Sequence, residues 1–333
     1  MAKPSSRRLR VGLALGGGAA RGWAHVGVIR GLEEAGIVPD VVAGTSVGAI
    51  VGAMYCSGHL DGFEHWVRRL GRREMLSYLD LAMASGGFFE GRRLADRFRN
   101  ALGDLDFEAL RIPLGIVATD LYSGHERWLR SGDVCSAIRA SISLPGLFTP
   151  VRHDGEWLVD GGLVNPVPVS LCHAMGADIV IAVNLNGGLV GRHLRREEPA
   201  EPERPDATSG EGPATSIEGW FERLSSGLRD RAGLLPAQFR RGSAESAPGL
   251  FDVIATAVNV MQDRITRSRM AGDPPELLIS PRLAHIALLE FYRAAEAIEE
   301  GHQAVRRLQP AVNELADQLG VAPRQSEQTG EAP

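Results

Sequence analysis

The chain has 333 residues, 44% hydrophobic and 23% charged, with a formal net charge of −5. That composition suits a globular protein with a substantial core, and an acidic balance without a long basic run excludes nucleic acid as the main partner. Lys3 is the single lysine, which sets aside Walker-loop nucleotide hydrolases, Schiff-base enzymes and Ser-Lys hydrolases, since each needs a lysine in its site.

Residues 1–9 read as a polar tail. Arg7, Arg8 and Arg10 precede an apolar run at 11–15 that is too short for a secretory signal. No stretch of about 18 uninterrupted apolar residues occurs, so no transmembrane helix is expected. Cys56, Cys135 and Cys172 are odd in number, widely spaced and outside any C-x-x-C pattern. They read as reduced, buried thiols of a cytoplasmic protein.

The first predicted strand, at 9–15, runs into Gly16-Gly17-Gly18-Ala19-Ala20-Arg21-Gly22. From Trp23, apolar residues at Val26, Ile29, Leu32 and Ala35 keep helical spacing, and Gly36 closes the helix. A second strand at 41–43 leads into Gly44-Thr45-Ser46-Val47-Gly48, followed by a helix through Cys56. Strand, glycine turn and helix, twice over, imply a parallel sheet.

Helices are predicted over 61–70 and 90–102. The apolar stretch 75–89 between them has no clear period. It could line a pocket, form irregular core, or place Phe88 and Phe89 in a lipid interface with Arg68, Arg69, Arg72 and Arg73 facing anionic head groups. Strands follow at 113–119 and from 127, then a short helix at 134–140. A further strand at 157–159 ends at Asp160-Gly161-Gly162, and a buried strand occupies 179–183. Residues 187–249 are rich in Arg, Glu, Pro, Gly and Ser. They read as a disordered or loosely attached insertion, interrupted by a short helix near 217–224 and dispensable for folding. A helix at 251–270, a last strand at 277–279 and a long amphipathic helix at 286–308 come next. Residues 311–333 turn polar and are expected to fray.

G-x-S-x-G between a strand and a helix leaves the serine hydroxyl exposed over the positive end of the helix. The pattern alone also fits an ordinary Gly/Ser turn. The glycine run at 16–18 has two readings. A dinucleotide loop needs G-x-G-x-x-G and an acidic residue at the end of the second strand; Ala19 and Ala43 stand in those places. The other reading is an oxyanion hole, in which consecutive backbone N–H groups converge on one oxygen beside Ser46. Arg21 could hold a substrate phosphate or brace the loop. No histidine after Ser46 falls in a convincing late strand-end loop, which weakens a Ser-His-Asp α/β-hydrolase. A poorly solvated carboxylate held against Ser46 could take its proton directly. Asp160 fits that role, Asp120 competes for it, and His25 reads as a packed structural histidine.

Together the motifs resemble the patatin-like phospholipase family, in particular its small bacterial members. Four ordered blocks carry the likeness: G-G-G-A-A-R-G at 16–22, G-T-S-V-G at 44–48, S-I-S-L-P-G-L-F-T-P at 141–150 and D-G-G at 160–162. The resemblance covers residues 9–186, and the strand and helix near the end match the family's closing segment. It implies a three-layer α/β/α fold with a mainly parallel central sheet, and hydrolysis of phospholipid or lysophospholipid acyl esters without a metal or other cofactor. Carried over, Ser46 is the nucleophile and Asp160 the base, while Gly16, Gly17 and Gly18 with Arg21 form the oxyanion region. Gly22, Gly44, Gly48, Gly161 and Gly162 are the motif glycines. The expected organisation is a tail at 1–9, a catalytic core at 10–186, the insertion at 187–249, closing elements at 250–310 and a tail at 311–333. Contact with lipid would be transient, at a membrane surface. A non-catalytic nucleotide-binding or regulatory protein stays the reading from another class.

Overall fold

The computed structural model describes residues 7–72, 74, 87–90, 92–187 and 250–323. Residues 7–187 and 254–323 fall in one compact unit; a second, 193–253, lies almost wholly outside the described residues, as does the expected insertion with its short helix. The stretch 75–86 and the residues beyond 323 also lie outside them.

Strands β1 (Val11–Leu15) and β2 (Val41–Thr45) are buried along their whole length. Such short apolar runs suit a parallel sheet covered on both faces. Around them a sheet of eight described strands runs in the order β10-β9-β1-β2-β4-β8-β7, with β5 also on β4. Here β4 is Leu114–Asp120, β5 Glu126–Leu129, β7 Val151–His153, β8 Glu156–Asp160, β9 Ile179–Val183 and β10 Leu277–Ile279. From β10 through β4 the pairing is parallel; β5, β8 and β7 are antiparallel. A separate pair joins β3 (Gly87–Phe89) to β6 (Gly146–Phe148).

The register of β4 is what positions the site. β5 pairs with Ile116 to Thr119, overlapping the partners of both β2 and β8, so those two share the opposite edge of β4. They run toward each other along it. β2 ends with Thr45 opposite Val117, and β8 ends with Asp160 opposite Ala118. Ser46 and Asp160 are therefore brought together by two strands meeting head-on at adjacent positions of a third.

Side chains alternate across the sheet. Leu13, Leu15 and Val42 join one core cluster with helices α1 (Ala24–Glu34), α2 (Val47–Cys56) and α3 (Leu60–Arg69), while Ala14, Val41 and Ala43 pack on the other face. Helices α4 (Arg92–Leu102) and α5 (Val134–Ser141) flank the β4 side, and α6 (Val169–Ala174) covers the second face. The result is the expected three-layer α/β/α arrangement. Helix α7 (Leu250–Gly272) leads into β10, and α8 (Ala294–Arg307) and α9 (Gln309–Leu319) close the described chain. Helices α1 and α8 approach so closely that a Cβ on Gly27 would strike the Ile298 carbonyl, and one on Gly301 the Ala24 carbonyl.

Two expectations need correction. The helix expected from 286 begins only at Ala294, after a 3-10 turn at Phe291–Arg293. Tertiary bonds compete with the helix there: the Leu288 carbonyl accepts from Ala20 N–H at 3.1 Å, and the Phe291 carbonyl from Trp23 Nε1 at 3.0 Å. The segment from 311 does not fray at once, because α9 runs to Leu319, with Pro310 in its first turn and Gly320 as a left-handed cap. Val312, Leu315 and Ala316 form a narrow apolar stripe that buries it. No helix among the described residues is long and apolar enough to cross a membrane. Cys56, Cys135 and Cys172 are buried free thiols.

Candidate active site

Ser46 sits between β2 and α2 with φ 55° and ψ −121°. A non-glycine residue in that region carries strain of about 1–3 kcal/mol and persists only where its surroundings over-determine it. Here they do. Ser46 N–H donates to Ser141 Oγ at 2.8 Å, and Ser141 Oγ donates to the Val117 carbonyl at 2.7 Å. The elbow is thus pinned to β4 through one buried hydroxyl. Gly48 gives the turn its tightness, since a Cβ there would run into the Leu15 carbonyl. Added side chains at Gly22, Gly44 and Gly161 would meet Val47, Ala49 and the Val117 carbonyl.

Ser46 Oγ donates to Asp160 Oδ2 at 2.7 Å. Asp160 is 2% exposed, and burial pushes its carboxyl up to about 6, against the opposing effects of the Ser46 hydroxyl and the Gly162 N–H. Gly162 N–H reaches Oδ1 at 2.7 Å, and Thr119 Oγ1 holds the Asp160 carbonyl at 2.8 Å. The side chain is fixed at both ends.

The glycine loop lies beside Ser46, but not with the donors expected. Gly16 N–H continues the sheet ladder to the Val183 carbonyl at 3.1 Å, and Gly17 N–H is taken by the Pro166 carbonyl at 2.9 Å. Among the described residues, the Gly18 and Ala19 N–H groups are the ones in this loop left without a protein acceptor, and both residues line the cavity over Ser46. Ala19 has φ 49°, so the alanine there carries a backbone cost that glycine would not.

Arg21 braces the loop. It is 2% exposed; its backbone N–H and Nε both donate to the Gly18 carbonyl, at 3.3 and 3.2 Å, and Nη2 donates to Asn259 Oδ1 at 2.8 Å. Holding that carbonyl fixes the peptide plane whose other side is the Ala19 N–H. Burial lowers the guanidinium to about 10, which leaves it charged at neutral pH behind the loop. His25 is fully buried, with Nε2 2.7 Å from the Gly16 carbonyl. Burial depresses it to about 4, so it is a neutral structural donor. Asp120 is not at the site: it caps a turn through Ser123 Oγ and the Ser123 and Tyr122 N–H groups, which hold it below its ordinary range.

An open cavity lies over Ser46 and Asp160. Trp23, Trp66, Phe98, Leu147, Phe148 and Phe291 are among its walls. No histidine among the described residues lines it. One polar residue that sequence reasoning passed over does: Gln262, on α7. The arrangement offers a hydroxyl with a proton acceptor, two free N–H donors and an apolar space for a hydrocarbon chain.

A family model described as patatin-like phospholipase matches residues 13–173. An uncharacterized NTE family protein of Mycobacterium tuberculosis is 35% identical, over 88% of this chain and 89% of its own. The Drosophila melanogaster neuropathy target esterase sws is also 35% identical, over 53% of this chain and 13% of its own length. The crystal structure of VipD from Legionella pneumophila aligns over 91% of this chain and 67% of that one, at 12% identity and a TM-score of 0.42.

Proposed function

The chain belongs to the patatin-like phospholipase family, and from that premise we propose that it is a serine acyl hydrolase of lipid carboxylic esters, working through Ser46 and Asp160. The observation that carries the reading is the 2.7 Å bond from Ser46 Oγ to a buried carboxylate at the floor of an apolar cavity. With its carboxyl near 6, Asp160 is mostly ionised at neutral pH and basic enough to accept a proton. Ser46 Oγ attacks the acyl carbonyl while its proton passes to Asp160. The Gly18 and Ala19 N–H groups meet the developing oxyanion, with the helix end and Arg21 adding positive potential. The leaving alcohol takes the proton from Asp160, and water then releases the acyl group. The apolar walls favour a phospholipid or lysophospholipid acyl chain, delivered by transient contact with a membrane surface from the cytoplasm.

The test is labelling by a fluorophosphonate probe combined with hydrolysis of lysophospholipid micelles and a short soluble ester. The parent protein should be labelled and active, and Ser46→Ala should lose both, with turnover down by several orders of magnitude. Ester hydrolysis surviving in Ser46→Ala would overturn the proposal.

A further inference from the structure

Building on the serine-hydrolase reading, we infer that Gln262 holds the water that releases the acyl group from Ser46. Gln262 lies on α7, beyond the residues the family model matches, and is 6% exposed. Among the described residues, apart from Gln262, Ser46, Asp160 and two tryptophan indoles, every side chain lining the cavity is apolar or absent. The Gln262 carboxamide is oriented from behind, because Asn186 Nδ2 donates to its Oε1 at 3.0 Å. That leaves Nε2, with its two hydrogens, on the side of the catalytic carboxylate. The second glycine of D-G-G explains how it gets there. A Cβ on Gly162 would collide with Gln262 Nε2 and come within 3.0 Å of Asp160 Oδ1. The amide and the carboxylate flank one spot above Gly162, where an added side chain would have to push the amide aside.

The chemistry asks for a group of this kind. Once Ser46 is acylated, its hydroxyl proton is gone and the space in front of Asp160 opens to water. A water molecule in an otherwise apolar cavity needs two to four polar partners to stay. Asp160 Oδ2 accepts one of its hydrogens; Gln262 Nε2–H donates to its oxygen and sets a lone pair toward the acyl carbon. The water oxygen then bonds to that carbon as its proton moves to Asp160. The tetrahedral adduct collapses by breaking the bond between that carbon and Ser46 Oγ. The serine oxygen takes the proton back from Asp160, and a free carboxylic acid leaves. Acylation uses none of this water, so the effect of Gln262 falls on the second half of the reaction.

The experiment is pre-steady-state hydrolysis of p-nitrophenyl butyrate by the full chain, with Gln262→Met and Asn186→Ala. Intact-mass measurement follows the acyl-enzyme, and the fluorophosphonate labelling rate monitors acylation. For Gln262→Met the steady-state rate should fall roughly tenfold or more. A burst near one equivalent of nitrophenol should appear, with butyryl-enzyme accumulating and labelling unchanged. Asn186→Ala keeps the glutamine but frees its amide, and should show a smaller effect of the same kind; it reads the proposal if the methionine variant does not fold. An unchanged steady-state rate, or an equal fall in burst, labelling and turnover, would overturn the role of Gln262 while leaving the hydrolase reading in place. Absence of labelling in the parent protein would remove the acyl-enzyme, and both ideas with it.

Discussion

Asp160 provides a test that does not depend on knowing the substrate. Its carboxyl is raised from 3.8 to about 6 because burial penalises the charge more than the Ser46 and Gly162 hydrogen bonds favour it. A rise of that size separates the two protonation states by about 3 kcal/mol. The folded protein holds this proton more tightly than the unfolded chain does. The associated stability is therefore complete below about pH 4 and is lost as pH rises through about 6. Asp160→Asn keeps an oxygen for the Gly162 N–H but has no charge to bury. Urea unfolding of both proteins near pH 5 and near pH 8 isolates the group, because every other titration cancels in the difference. The asparagine variant should gain roughly 1.5 kcal/mol on its parent between those two conditions, while losing hydrolysis at both. The parent's kcat/KM for a soluble ester should rise with pH through a midpoint near about 6. A stability gap that is flat, or widens toward acid, would refute burial as the origin of the basicity.

Ser141→Ala removes the bridge from the Ser46 N–H to the Val117 carbonyl. It should cost about 1–3 kcal/mol of stability and lower kcat roughly tenfold or more with KM little changed; chemical denaturation and steady-state kinetics check both, and a parental kcat would rule out the pinned elbow. Gly27→Ala forces α1 away from the Ile298 carbonyl and should destabilise by about 1–3 kcal/mol. Gly62→Ala, where an added Cβ meets nothing, should be neutral or gain a few tenths of a kcal/mol; equal thermal shifts in the two would contradict the close packing.

The serine elbow and D-G-G were legible because their demands are steric and local: a turn that tight admits few residue types, and both followed buried strands. The free N–H donors of the glycine loop were not. Gly16 and Gly17 are as suitable as Gly18 by sequence, and their amides are claimed by Val183 and Pro166, residues whose proximity only the folded sheet creates. Arg21 stayed open between ligand and brace for the same reason, since its partner Asn259 is far along the chain. Gln262 has no local signature at all on an amphipathic helix. The traces it left were elsewhere, in the second glycine of D-G-G, whose missing side chain also leaves room for the amide, and in Asn186 just past a buried strand. The start of the last long helix was misplaced because carbonyls at Leu288 and Phe291 serve the glycine loop and the helix after it instead of the next helical turn.

The strand order also has a bearing on how the protein is made. β1 is synthesised well before its neighbour β9 and the strand beyond that, β10. The nascent chain must carry an unpaired central edge until β9 emerges, which slows folding and invites mispairing or holdase binding. The same delay orders the site. Val258, Gln262, Leu288 and Phe291 complete the cavity, so a half-made chain has the serine elbow before it has the walls around it.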